Sequence, residues 1–139
     1  MAIRLPFAAA VFLAVVLGSD AASAHHSFAA EFDRSKPIDI TGKVTKVEWM
    51  NPHARFYVET ADKDGAKVNW NFELSSPNIL IRQGWTRHSL HLGDTVTVKG
   101  FRAKLAMNVG SASTVRLKDG RTVFGQPQNS GAGNSGAGQ

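Results

Sequence analysis

Apolar and polar residues alternate along much of this chain, and the period is that of β-strands. Ile38, Ile40, Gly42 and Val44 fall on one parity, and Val47 and Trp49 fall on the other. A switch of parity inside one run predicts a long first strand bent by a β-bulge. Pro37 suits the start of that strand, and Asn51-Pro52 ends it with a turn signal. A second strand reads from Ala54 to Thr60, with Phe56 and Val58 inward. Asp62-Lys63-Asp64-Gly65 then forms a hairpin turn. In the third strand Val68, Trp70, Phe72 and Leu74 alternate with Asn69, Asn71 and Glu73, which predicts a strand buried on one face.

The period then changes. Ser76-Pro77 gives a helix start with proline in the first turn, and Gly84 stops a short helix over Pro77 to Gln83. A polar loop carries Arg87, His88 and His91. A fourth strand follows Asp94, with Val96 and Val98 inward. A fifth covers about Ala112 to Leu117, and Thr122-Val123-Phe124 can add a last short one. The order strand, strand, strand, helix, strand, strand predicts an all-β fold. Its most natural form is a small OB-like five-stranded barrel with one short helix between strands 3 and 4. A small sandwich also fits the strand spacing, but the helix position favours the OB type.

The two ends of the chain read differently. Arg4, the apolar run Leu5 to Gly18 and Ala22-Ser23-Ala24 have the layout of a cleavable secretory signal. The run is too short to span a bilayer, which takes about 20 residues. The expected organisation is a signal peptide over 1–24, a lead-in over 25–37, the barrel over 38–124 and a disordered Gly/Ala/Ser/Asn tail over 125–139. The tail has too little apolar surface to offset the entropy of ordering it. The expected location is the periplasm. The chain has no cysteine, which excludes disulfides, thiolate metal sites and a cysteine nucleophile. Its formal charge of +5 permits anionic partners without requiring one.

The segments HHSFAAEFD, VTKVEWMNPHARFYVE, SPNILIRQGWTRHSL, GDTVTVKG and LKDGRTVF resemble, in combination, a family of small exported bacterial proteins of unknown function with HHSF, NPH and GWT motifs. The resemblance covers about residues 25 to 124. It implies export and an OB-like barrel, and it implies no activity.

The candidate chemistry lies in the histidines. Cleavage after Ala24 makes His25 the first residue and His26 the second. The α-amine and Nδ1 of an N-terminal histidine can chelate one metal ion, and a further imidazole completes a three-nitrogen site. Such donors suit Cu(II), the strongest binder in the divalent series. His53, His26, His88 and His91 can supply the third nitrogen, and His53 is the best placed. A lead-in doubling back along the first strand would span a similar number of residues and just reach it. His25, His26 and His53 are therefore the candidate metal ligands, with copper as the candidate cofactor. The bland reading is that paired histidines near a terminus sit in solvent and that His53 only caps a turn. Glu31 and Asp33 can supply outer contacts or simply be solvated.

No phosphate loop, nucleophile elbow or spaced carboxylate pair is present, so the sequence points away from an enzyme. Nucleic acid is a poor fit. By parity only Tyr57, beside Arg55, is an outward aromatic on strands 2 and 3. The expectation is an exported binding module, with Cu(II) or another divalent metal as its ligand. The alternative is a metal-free protein-interaction module using the face around Arg55, Tyr57, Asn69, Asn71 and Glu73.

Overall fold

The computed structural model describes residues 28–126. The described chain is predominantly β. A four-residue helix α1 (Phe28–Glu31) leads into β1 (Phe32–Glu48), β2 (Arg55–Ala61) and β3 (Lys67–Glu73). Helix α2 (Pro77–Arg82) follows, then β4 (Thr95–Ala103), β5 (Val109–Arg116) and β6 (Thr122–Phe124). Among the described residues no helix is long and apolar enough to cross a membrane.

The strands pair in the order β3-β2-β1-β4-β5-β6, and β3 also pairs with β5. That last pairing is parallel and joins Asn71 to Val109, Phe72 to Gly110 and Glu73 to Ser111. It closes a ring of five strands. One strand, β1, serves both neighbours. Its first part pairs with β4 and its last part with β2. The bend comes from a register shift between Val44 and Lys46, where the parity switches. Gly42 sits at a close approach of β1 and β2. A Cβ there would run into the backbone oxygen of Glu59 and into Val58, so only glycine lets β2 close on β1.

The inward positions fill one core. Val44, Phe56, Val58, Phe72, Leu74, Leu80, Trp85, Val96, Val98 and Val115 are fully or almost fully buried. Phe56, Phe72 and Trp70 stack in sequence, with centroids 5.4 and 5.7 Å apart. α2 contributes Pro77 and Leu80, and it stops where Gly84 turns to φ +89°. Ser76 precedes the helix in extended backbone but makes no side-chain cap.

Four expectations need correction. The first strand begins at Phe32, not at Pro37, because Phe32 is buried and pairs with Ala103. A second register shift, between Asp33 and Pro37, absorbs the polar residues between them. The lead-in therefore does not double back along the strand; its described part extends it. There are two helices, since Phe28 anchors a turn by packing its ring on Phe32 and Phe101. The sixth strand is real and pairs with β5. Residues 125 and 126, expected in the tail, are held by the fold. Gly125 gives its carbonyl to the Ser75 amide and its own amide to Ser113, and Gln126 bonds the Ser111 hydroxyl. Gly125 has no room for a Cβ against the Ala112 carbonyl, so this glycine is a structural residue. The remainder of the expected tail and the signal segment lie outside the described residues.

Candidate functional site

The outer face of β2 and β3 is a polar ladder. The register pairs Arg55 with Glu73, Tyr57 with Asn71 and Glu59 with Asn69. Alternation sends Phe56, Val58, Trp70 and Phe72 into the core and these six to the opposite face, where Glu73 is itself buried. The five residues named as an interaction face in the sequence thus share one surface. β1 extends it. Tyr57 Oη donates to Glu48 Oε2 at 3.3 Å, and Thr45 Oγ1 donates to Asn69 Oδ1 at 3.2 Å. The Lys46 ammonium lies 5.1 Å from the Tyr57 ring centroid and also pairs with Glu48. The hydrogen bond from Lys46 holds the Glu48 carboxyl below its ordinary range and raises Lys46 in turn.

Glu73 is the centre of this face. It is 7 % exposed, and each carboxylate oxygen has its own partner. Arg55 Nη2 donates to Oε2, while His53 Nδ1 lies 2.8 Å from Oε1. Arg55 also reaches Asn71 Oδ1 at 3.5 Å. A carboxylate can only accept, so Nδ1 of His53 carries the proton. In the neutral ring Nε2 is then a free lone pair, and the His53 side chain is 46 % exposed. A histidine held by a carboxylate through one nitrogen and open at the other has the form that metal-binding histidines take.

Near His53, the ring closure joins what the linear order keeps apart. Glu73 is beside Ser111, and Ser111 is beside Phe101. The Phe101 ring meets the Phe28 ring edge-on at 5.9 Å. Glu73 and Phe101 are thus two strand spacings apart, about 10 Å.

The other candidates fall elsewhere. His25 and His26 lie outside the described residues. Among the described residues there is no group of three His, Cys, Asp or Glu side chains able to hold a metal. His91 is committed to a loop. Its amide donates to Asp94 Oδ2 at 3.0 Å, and Lys118 Nζ donates to Asp94 Oδ1 at 2.8 Å. The Lys118 hydrogen bond is the main reason the Asp94 carboxyl lies below its ordinary range. His88 uses its amide on Thr86 Oγ1 at 3.2 Å. Asp33 accepts from the amide and hydroxyl of Ser35, which lowers its carboxyl, and so caps the β1 bulge.

Sequence reasoning missed the joint role of Glu73 and the part played by Lys46 and Glu48. Glu73 was visible as the last outward residue of β3. Its two partners, however, come from positions that only the β2–β3 register and the turn before β2 bring to it.

A family model matches residues 13–116 of the chain. The chain belongs to the DUF6152 family, a family of unknown function. The match takes in β1 to β5 and all of the His53–Arg55–Glu73 cluster, so the cluster lies within the family region of this DUF6152 protein. No curated protein matches the chain.

Proposed function

We propose that this protein is an exported, periplasmic binding module that holds one divalent transition-metal ion, Cu(II) foremost. The leader is cleaved after Ala24. The amine and imidazole of His25 bind the ion with Nε2 of His53, and His26 stands beside them. The observation that carries this reading is His53 itself. Its Nδ1 is tied to a buried carboxylate and its other nitrogen opens to solvent. Buried carboxylates are costly unless paired, so Glu73 holds both His53 and Arg55 in place and orients the free nitrogen outward. Reach supports the rest. Phe28 packs on Phe101, which lies two strands from Glu73, and the three residues back to His25 span about 10 Å when extended.

We read the five-strand ring as an OB-like barrel. The element order, the helix between β3 and β4 and the parallel β3–β5 closure support it. The role is binding and not catalysis.

A second reading is favoured by a specific observation. The ladder Arg55–Glu73, Tyr57–Asn71 and Glu59–Asn69 is an ordered polar surface held by its own pairs. On that reading the protein is a metal-free interaction module, and this face meets a protein partner.

One experiment separates the two. The exported protein is weighed intact, with and without Cu(II). The metal reading expects a first residue of His25 and one bound ion. An alanine added ahead of His25 should then weaken copper binding at least about tenfold. Unchanged affinity in the extended protein would leave only the interaction module.

A further inference from the structure

The connection between two strands carries a feature the metal reading does not use. The connection between β4 and β5, residues 104–108, is a short tip. Leu105 is 99 % exposed and Met107 is 88 % exposed. These are the two most exposed large apolar side chains among the described residues. Singly exposed apolar residues need no explanation, but two at one tip do. The tip itself is fixed. Arg102 pairs with Gly110 at its base, and the Lys104 amide donates to the Glu31 carbonyl at 2.9 Å. Asn108 holds a left-handed φ of 54°, which turns the chain back into β5. Leu105 and Met107 are therefore presented by a built loop.

The surroundings are basic. Lys36, Arg102 and Lys104 line the same shallow depression as Leu105, Ala106 and Met107. Lys104 Nζ donates to the Ala29 carbonyl, and the Arg102 guanidinium lies 4.8 Å from the Trp70 ring centroid. Asp33, paired with Lys36 at 3.6 Å, offsets part of this charge. Glu31, whose carbonyl takes the Lys104 amide, is a second acidic residue nearby, so the three cations exceed the anions by one.

We infer that this tip docks the protein on an anionic lipid surface, with Leu105 and Met107 entering the headgroup–acyl boundary and Lys36, Arg102 and Lys104 facing lipid phosphates. Charge and shape together select this partner. A stable protein interface needs about 800 Å² from each side, which two side chains on a protruding tip do not supply. A bilayer needs only side chains that can be immersed and cations that stay at the headgroups. Each basic residue near such a surface is worth about fivefold in binding, and each buried apolar side chain about tenfold or more. The sum is a reversible attachment, weakened by salt. The inference uses neither His53 nor Glu73, although Lys104 also holds the Ala29 carbonyl next to Phe28.

The test is flotation of the exported, processed protein with two kinds of vesicle. One is an equal mixture of phosphatidylcholine and phosphatidylglycerol, and the other is phosphatidylcholine alone. The protein should float with the mixed vesicles in low salt and far less with the neutral ones. Leu105→Ser with Met107→Ser should cut binding at least about thirtyfold. Lys36→Gln with Lys104→Gln should cut it about tenfold or more. Lys43→Gln with Lys67→Gln removes the same charge away from the tip and should leave binding within about twofold. All these positions are exposed, and an unchanged thermal melt shows that each variant folds. No flotation of the unaltered protein overturns the inference. So does equal loss in both charge variants, which would mean bulk charge alone. Retention by an acidic protein surface, with no vesicle binding, would assign the tip to a protein partner instead.

Discussion

Glu73 is a single residue with three duties. It ends β3, satisfies Arg55 and fixes the tautomer of His53. Glu73→Gln keeps the shape but loses a charge. The amide can still accept from only one of the two donors, so the other is left loose. Copper affinity should fall about 10- to 100-fold, read by competition with a chromophoric chelator, while the fold persists. The stability cost should be about 1–2 kcal/mol, since Arg55 and His53 are partly solvated. Asp94 gives a prediction in pH. Its carboxyl is lowered by Lys118, so the native state binds fewer protons than the unfolded chain, whose aspartates titrate near about 3.9. The stability it adds is complete above that value and is lost as pH falls through the lower native one. Asp94→Asn should therefore melt below the unaltered protein at neutral pH. The gap should close as the pH falls below the unfolded value and through the lower native one.

At the scale of elements, β1 decides the architecture. Its two partners require a bend, made between Val44 and Lys46, and the close approach of β2 next to it requires Gly42. Gly42→Ala should lower stability by about 1–3 kcal/mol, read from the urea midpoint, because the added methyl meets backbone that cannot yield. This element also shows what was legible in the sequence. The parity switch at Val44 to Val47 predicted a bulge, and the register shifts there. The alternation of β3 predicted Trp70 and Phe72 as core, and both are buried. Ser76-Pro77 and Gly84 bounded α2 to within a residue. The start of β1 was hidden because Arg34, Ser35 and Lys36 break the alternation, and only the pairing of Phe32 with Ala103 reveals that strand continues through them. Gly125 was hidden by its composition. Its place depends on acceptors needed by Ser75, a demand no local pattern reports.

The whole molecule adds what neither residue nor element contains. In the linear order His53 and Phe28 belong to opposite ends of β1. The β3–β5 pairing closes the ring and brings Glu73 within two strands of Phe101, on which Phe28 rests. The sequence named His53 as a candidate ligand by way of a fold-back along β1, and β1 instead begins at Phe32. A fold-back along β1 was the only path visible without the ring. The most direct measurement of the metal claim is the electron paramagnetic resonance spectrum of one equivalent of Cu(II) on the exported protein, beside that of His53→Ala. Three coordinated nitrogens in the first, reduced by one in the variant, is the predicted result. An identical spectrum in both proteins would contradict it.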